Sequence, residues 1–264
     1  MPDFTAKDVQ ALRQATGAGM MDAKKALVEN DGDMDAAARW LREQGLAKAG
    51  NREERENRQG TVAVAHEGNA AAIVELKCET DFVAKSDQFK SLVQEIAMLV
   101  AFEGEAAAQR KADAVDDLKV VLKENIEIGT VVRMEGADGN VIDSYVHRQD
   151  GRGVNGVVVE LAGASPDVAH DVAVQVAFSK PQYLRREDVP DAEVAEERSL
   201  LEAQTRNEGK PEAALPKIVE GRLTAWFKDR VLLEQPFVKD EKRTVADLVN
   251  GHDIVRFAQV VIGS

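Results

Sequence analysis

The chain has 264 residues, of which 44% are hydrophobic and 31% charged, and its 47 acidic and 34 basic side chains give a formal net charge of −13. This length predicts roughly two domains, each able to bury a core, and this composition excludes an intrinsically disordered chain. The negative charge repels polyanions at long range, so we expect a protein partner and no direct binding to nucleic acid.

Three features of the sequence bear on location and on bound groups. The N-terminal residues lack the basic and apolar regions of a secretory signal, and the longest apolar run, near residues 96–102, falls short of the ~18 residues that a membrane span needs. Cys78 is the single cysteine, which excludes an internal disulfide, and no Cys or His pair has metal-ligand spacing. We therefore expect a cytoplasmic protein with no membrane contact, no metal and no cofactor.

The first 47 residues predict a small three-helix domain. Thr5 and Asp8 form a capping box at the start of the first helix, Gly17 ends that helix, and the third helix ends near Gly45. The apolar stripes of the second and third helices are Met20, Ala23 and Leu27, and Met34, Ala37, Ala38 and Leu41. We expect a bundle similar to ubiquitin-associated (UBA) domains at residues 1–47 and a polar linker at residues 48–59.

The rest of the chain predicts an α+β core with an internal repeat. Its elements share the order strand, strand and helix: residues 61–65, 70–78 and the helix after Ser86 in the first copy, and residues 141–147, 154–161 and the helix after Ser165 in the second. The sequences AIVEL and VVVEL occupy matching places in the second strand of each copy. We therefore predict two related subdomains, at residues 60–139 and 140–264.

A helical hairpin is predicted at residues 188–233, inside the second subdomain. Its two helices are joined at a stop-and-restart signal, Gly209-Lys210-Pro211, and Pro216 predicts that the second helix starts nearby or kinks. The stripe of the second helix is Leu215, Ile218, Val219, Arg222, Leu223 and Trp226. A projecting hairpin needs a second surface to cover such a stripe, either from the chain itself or from a second copy, so self-association through this hairpin is a hypothesis.

The sequence contains no convincing set of catalytic residues. The letters GxGxxG occur at residues 151–156, but a strand follows them where a dinucleotide site needs a helix, so we interpret them as a hairpin turn. Cys78 shares a strand face with Val74 and Leu76, which favours a buried hydrophobe over a nucleophile. We expect a protein that is not an enzyme.

Two apolar features have no settled place in the predicted core. Phe82, in the segment 80–83 directly after a strand, precedes the regular helical stripe that starts at Phe89, so periodicity leaves open whether it is buried or protrudes. Met20 and Met21 are adjacent on one helix and do not both face a narrow core stripe, so one of them is exposed. Exposed Met suits protein binding, and a surface Met without a role is the alternative.

Several motifs resemble those of the elongation factor Ts family. TGAGMMDAKKAL at residues 16–27 is similar to the signature of that family's N-terminal domain, and ETDFVA at residues 79–84 is similar to its second signature. SKP at 179–181, EGR at 220–222 and QPFV at 235–238 follow in the family's order. The resemblance implies a helical N-terminal domain and two α+β subdomains with a hairpin in the second.

The resemblance also implies a function and a set of contacts. Members of this family act as guanine-nucleotide exchange factors for the translational GTPase elongation factor Tu, displacing Mg²⁺ and promoting release of GDP. It implies that the segment Thr80, Asp81, Phe82 and Val83 presses on Tu near its Mg²⁺ and phosphate site, and that Met20, Met21 and His147 make further contacts with Tu. A protein-interaction adaptor that uses the three-helix domain alone is the main rival interpretation, and an enzyme ranks third.

Overall fold

The computed structural model describes residues 4–50 and 55–264, with only the backbone described for residues 46–50. The N-terminal domain consists of three helices: α1 (Ala6–Thr16), α2 (Met20–Glu29) and α3 (Met34–Gly50). The predicted capping box at Thr5 and Asp8 is present, and Gly17 ends α1 with a left-handed φ of 70°. These local signals fix the first helix because each satisfies backbone groups that the helix ends leave unpaired.

The core of this domain contains most of the predicted stripes, with Met34 and Ala38 partly buried at its edge. The buried residues are Val9, Leu12, Ala23, Ala26, Leu27, Ala37 and Leu41. Met20 was placed in the stripe of α2, but it is 49% exposed, and Ala26 is buried instead. The small Ala side chains allow the three short helices to approach closely, which leaves the larger Met20 side chain at the edge of the domain.

The predicted end of α3 near Gly45 is wrong, because the helix continues to Gly50. Gly45 allows a close approach instead of ending the helix: a Cβ atom there would lie 2.5 Å from the Cγ1 atom of Val120 in a later helix. Arg42 Nε lies 3.1 Å from Asp117 Oδ1 across the same contact. Residues 51–54 of the predicted linker lie outside the described residues.

The first subdomain contains a three-stranded antiparallel sheet in the order β1-β2-β3. Its elements are β1 (Gln59–Glu67), β2 (Ala70–Cys78), α4 (Asp81–Ala84), α5 (Asp87–Glu103), α6 (Ala112–Leu122) and β3 (Glu127–Glu135). Helix α5 packs on one face of the sheet, and Ser86 Oγ accepts a hydrogen bond from the Phe89 amide at its start, as predicted. Helix α6 and strand β3 were not predicted from the sequence.

The second subdomain repeats this arrangement. Its sheet has the antiparallel order β4-β5-β8, and α7 packs on it. Its elements are β4 (Asn140–Gln149), β5 (Arg152–Ala162), α7 (Pro166–Ser179), α8 (Asp191–Asn207), α9 (Leu215–Arg230), β6 (Pro236–Phe237), β7 (Asp240–Thr244), α10 (Val245–Val249) and β8 (Asp253–Val261). The predicted α+β class is confirmed.

The two sheets face each other through an apolar layer built from both subdomains. Val62 and Ile73 of the first sheet and Val158 and Val260 of the second belong to it. A Cβ atom at Gly156 would lie 2.5 Å from Val62 Cγ1, so the glycines of the GxGxxG run allow the sheets to come together. Asp150 and Gly151, the first glycine of the run, have φ values of 52° and 79° and form the β4–β5 turn, and the rest of the run lies in β5. The run therefore belongs to a hairpin, as interpreted from the sequence.

The helical hairpin α8–α9 covers much of its own apolar surface. The buried residues of this cluster are Val189, Leu201, Val219, Leu223, Phe227 and Val231. Of the predicted stripe, Ile218, Arg222 and Trp226 are half-buried and flank the contact. Pro216 lies in the first turn of α9, where a missing amide hydrogen costs nothing, so the helix has no interior proline.

Candidate partner-binding site

The segment between β2 and α5 is held at both ends. Thr80 caps the four-residue helix α4, because its Oγ1 accepts a hydrogen bond from the Val83 amide. At the other end, Ala84 is buried, and its carbonyl accepts a 2.8 Å hydrogen bond from Thr61 Oγ1 of β1. Cys78 Sγ donates to the Thr80 carbonyl from within the core. A short helix is unstable alone, so these tertiary contacts fix its direction.

Phe82 projects from this fixed segment into solvent. Its side chain is 83% exposed, whereas Val83 packs against the edge of the core and Ala84 is fully buried. Of the two alternatives that periodicity left open, the structure has the protruding one. An exposed aromatic ring forgoes the roughly 1.5–3 kcal/mol that burial of such a side chain provides, and a partner surface that covers it would recover this energy.

The carboxylate of Asp81 lies beside Phe82 and is paired with a lysine. Lys85 Nζ lies 2.7 Å from Asp81 Oδ2 and 3.4 Å from Asp150 Oδ2. The hydrogen bond from Lys85 lowers the pKa of Asp81 below its ordinary value, and the same bond raises the pKa of Lys85. Asp81 is therefore ionised at neutral pH and presents a negative charge next to an exposed ring.

Asp150 brings the β4–β5 turn of the second subdomain to this segment. Arg152, on the other side of the turn, donates hydrogen bonds to the Gly60 carbonyl and to Gln59 Oε1, the latter at 2.8 Å. His147 lies on β4 just before the turn, is exposed, and adjoins a bulge in the β4–β5 pairing. The structure therefore places the His147 hairpin against the first subdomain, with its turn in contact with Lys85.

Met20 and Met21 lie in the N-terminal domain, at the first turn of α2. Met21 is 74% exposed and Met20 is 49% exposed, so both side chains are exposed where the sequence predicted one. The predicted contact residues thus occupy three parts of the molecule: the N-terminal domain, the strand end of the first subdomain, and the hairpin of the second.

Sequence reasoning missed three charged residues that surround the segment: Lys85, Asp150 and Glu124. The spacing of Asp81 and Lys85 is a signal for an ion pair on one helical turn, and it was available from the sequence. Asp150 and Glu124 reach the segment only through tertiary folding, and 44 residues separate Glu124 from Thr80. No local pattern predicts such contacts.

Among the described residues, no group of His, Cys, Asp and Glu side chains is arranged to hold a metal ion. The part of the chain that the structure describes also contains no helix with the length and apolarity of a membrane span. Cys78 is buried, and burial raises the pKa of its thiol to about 12, so it stays protonated and unreactive at neutral pH. An exposed aromatic ring is instead typical of protein-recognition surfaces, where aromatic residues are enriched.

Comparison with known proteins gives one consistent result. The sequence model of the family described as Elongation factor TS matches residues 79–264. The chain is 43% identical to elongation factor Ts of Thermobifida fusca over 100% of its own length and 99% of the relative's, and 43% identical to that of Mycobacterium ulcerans with the same coverage. It is 41% identical to elongation factor Ts of Clavibacter sepedonicus over the whole of both chains. The chain belongs to the elongation factor Ts family.

Proposed function

We propose that this chain is a guanine-nucleotide exchange factor for the translational GTPase elongation factor Tu. It acts in the cytoplasm by binding Tu–GDP and loosening GDP and Mg²⁺, so that GTP enters during elongation, and it carries out no reaction of its own. Membership of the elongation factor Ts family supports this role. The observation that carries it is the 83% exposure of Phe82 on a segment held by the core.

Phe82 supplies the binding energy at the centre of the proposed contact. The ring enters an apolar gap in Tu and becomes buried there, which is worth about 1.5–3 kcal/mol. Aromatic anchors at interface centres typically contribute at least about 2 kcal/mol. Because α4 is held in place before Tu arrives, little of this energy is lost to ordering the segment.

Asp81 supplies the negative charge that disturbs the Mg²⁺ site. Its carboxylate is ionised at neutral pH and lies on the same helical turn as Phe82. When Phe82 enters the gap, this carboxylate comes close to the groups that hold Mg²⁺ and competes for their interactions. Loss of Mg²⁺ leaves the charge of the nucleotide phosphates uncompensated, and GDP then dissociates more readily.

The remaining predicted residues make supporting contacts in this proposal. Thr80 and Val83 flank the ring and the carboxylate, and Met20 and Met21 present an adaptable apolar surface from the N-terminal domain. His147 contacts Tu from the second subdomain, on the hairpin whose turn reaches Lys85. Contacts from three parts of the chain give the interface the breadth that a specific complex requires.

The helical hairpin has a separate proposed role, which is contact with a second copy of the chain. Its inner stripe is covered by its own cluster, so the exposed Leu200 on α8 is the residue that supports this role. Leu200 is 60% exposed, and two copies related by a twofold axis would bury it against the same surface of the partner.

Release of a fluorescent GDP analogue from Tu, with a catalytic amount of this chain, tests the proposed function. We expect the wild-type chain to accelerate release and Phe82→Ala to lose about tenfold or more of this acceleration, because 1.4 kcal/mol is a factor of ten. If the folded wild-type chain binds Tu without accelerating release, the adaptor interpretation replaces this proposal.

Phe102→Ala is the matched control for this experiment. Phe102 is 68% exposed and lies near the end of α5, so the substitution removes another exposed ring from the same subdomain. At 1.5 Å per residue, the length of α5 separates it from Ser86 by roughly 24 Å. We expect Phe102→Ala to retain wild-type exchange, and equal losses in both variants would argue against a specific site at Phe82.

A further inference from the structure

The connection between α6 and β3 lies against the segment that precedes Phe82. It begins at Lys123, whose left-handed φ of 61° ends α6, and it includes Asn125 and Ile126, which are both buried. Glu124 lies between these fixed points, so its backbone has little freedom. Its side chain is half-buried and points toward the end of β2, as its hydrogen bonds indicate.

The Glu124 carboxylate accepts three hydrogen bonds from two consecutive residues. Its Oε2 atom lies 3.0 Å from the Glu79 amide nitrogen and 3.0 Å from the Thr80 amide nitrogen. Its Oε1 atom accepts from Thr80 Oγ1 at 2.5 Å. Residues 79 and 80 follow the last paired residue of β2, Cys78, so the carboxylate takes the place of a neighbouring strand for these two amides.

A second carboxylate contact runs the other way, from Glu79 at the end of β2 to the connection between α6 and β3. Glu79 Oε1 accepts a 2.7 Å hydrogen bond from the Asn125 amide, and Asn125 Nδ2 donates to the Arg55 carbonyl. Each segment therefore supplies a carboxylate to the backbone of the other. Hydrogen bonds to ionised carboxylates are about twice as strong as those between neutral groups, so this pair of contacts favours a single relative position of the two segments.

The hydroxyl of Thr80 links this contact to Phe82. Its Oγ1 atom donates to Glu124 and also accepts from the Val83 amide, which is the N-terminal cap of α4. Because the hydroxyl hydrogen of Thr80 points at Glu124, the lone pairs of the oxygen can accept the hydrogen bond from the Val83 amide. The Thr80 side chain therefore connects Glu124, at 2.5 Å, to the first turn of the helix that carries Asp81 and Phe82, at 3.4 Å.

We propose that Glu124 is a positioning residue for nucleotide exchange. It touches neither Phe82 nor Asp81, and it acts by holding the Thr80 cap so that both side chains point at the partner before binding. This inference rests on the proposed exchange function. Without Glu124, the contacts from Thr61 and Cys78 remain, but the Thr80 side chain loses its acceptor. The cap then has to be ordered during binding, and that cost is subtracted from the energy that Phe82 supplies.

A double-mutant cycle between Glu124 and Phe82 tests this coupling. In the chain that keeps Phe82, we expect Glu124→Ala to lower the rate at which the chain releases GDP from Tu by about tenfold, because residues that act through one element couple strongly. In the Phe82→Ala background, the same substitution is expected to cause less than about a twofold further loss. Equal losses in both backgrounds would overturn the proposal, because they would mean that Glu124 acts independently of Phe82.

Two further variants separate positioning from general damage. Glu124→Gln keeps an oxygen for the Glu79 and Thr80 amides, so we expect it to recover much of the activity that Glu124→Ala loses. Glu127→Ala removes a nearby carboxylate that pairs with Lys77 at 3.6 Å on the surface, and we expect wild-type exchange from it. No recovery with Gln, or an equal loss with Glu127→Ala, would contradict a positioning role.

Amide hydrogen exchange tests the same proposal without Tu. In the folded Glu124→Ala variant, the amides of Glu79, Thr80 and Val83 should exchange at least about tenfold faster than in the wild type, with those of α5 unchanged. Unchanged protection at these three amides would overturn the proposal. If their protection falls but the wild-type chain does not accelerate GDP release, positioning stands and the proposed function fails.

Discussion

Phe82 and Phe89 lie on consecutive helices and have opposite environments. Phe82 is 83% exposed, and Phe89 is completely buried in the core of the first subdomain. We predict that Phe82→Ala changes the free energy of unfolding by no more than about 0.5 kcal/mol, as is usual at exposed positions. Phe89→Ala should cost about 3–5 kcal/mol, because it leaves a cavity. Urea unfolding of the two variants checks this, and a Phe82→Ala variant as unstable as Phe89→Ala would show that Phe82 is part of the core.

The charge of Asp81 makes a prediction that involves Mg²⁺. Asp81→Asn keeps the shape of the side chain, removes the charge, and leaves Lys85 paired with Asp150 alone. If Asp81 acts on the Mg²⁺ site, this variant should be impaired when Mg²⁺ is abundant and should approach wild-type activity when a chelator has removed the ion.

GDP release at several Mg²⁺ concentrations measures this difference. Phe82→Ala is the comparison, because its defect comes from lost burial and should persist in chelator. An Asp81→Asn defect of the same size with and without Mg²⁺ would place the role of Asp81 elsewhere in the interface.

Among the helices and strands, the sequence predicted the features that depend on neighbouring residues and missed those that depend on contacts between distant parts of the chain. The capping box at Thr5, the Ser86 cap of α5 and the restart near Pro216 are present because each depends only on residues within one turn. Strand β3 was missed because its half-exposed residues have no strong pattern and its place is set by pairing with β2. Gly45 was misinterpreted as a stop because its true role is a contact with Val120.

The contrast between local signals and long-range contacts also applies to the candidate site. The segment 80–83 was singled out from its place after a strand, and the role proposed for it is the one that the resemblance to a family implies. The exposure of Phe82 was not predictable, because the helical period is interrupted between α4 and α5 and no longer says which side faces the core. The contacts from Asp150 and Glu124 come from distant parts of the chain and required the structure.

The junction between the two sheets contains a buried carboxylate, that of Glu160 on β5. It accepts hydrogen bonds from the Ala137 amide at 2.9 Å, from Asn140 Nδ2 at 2.7 Å and from Arg256 Nε at 2.7 Å. Burial acts to raise the pKa of Glu160, but these hydrogen bonds together outweigh it, so its pKa lies below the ordinary 4.5.

A pH dependence of stability follows from this lowered pKa. The stabilisation from Glu160 is fully present above pH 4.5 and is lost as the pH falls through the lower pKa of the folded state. We predict that Glu160→Gln lowers the free energy of unfolding by about 1–3 kcal/mol at pH 7. It should also reduce the loss of stability on acidification.

Urea unfolding at a series of pH values measures both effects. Glu67→Gln, at an exposed position on β1, is the control and should follow the wild-type curve. A Glu160→Gln curve parallel to that of the wild type below pH 4.5 would show that Glu160 contributes nothing to acid sensitivity.

For the whole molecule, the role in self-association proposed for the hairpin α8–α9 makes a prediction about mass. If the wild-type chain forms a dimer through α8, its mass in sedimentation equilibrium should rise with concentration, and Leu200→Glu should shift the equilibrium toward monomer. Met98→Glu is the matched control, since Met98 is an exposed apolar residue on the helix α5. A wild-type chain that is monomeric at every concentration would rule out this role for the hairpin.

In the proposed function, this chain and GDP each weaken the binding of the other to Tu. Coupling of this kind is reciprocal: the factor by which the chain lowers the affinity of Tu for GDP equals the factor by which GDP lowers the affinity of Tu for the chain. The contacts of Phe82 and Asp81 are the proposed source of that coupling, and the rest of the molecule provides the scaffold that presents them.

The most direct measurement is the affinity of the chain for Tu, by titration calorimetry, with nucleotide-free Tu and with Tu saturated with GDP and Mg²⁺. We expect markedly tighter binding to nucleotide-free Tu, with a coupling free energy of about 1–3 kcal/mol that Phe82→Ala and Asp81→Asn reduce. Equal affinities for the two forms of Tu would contradict this expectation, because a protein that binds both states equally cannot drive the release of GDP.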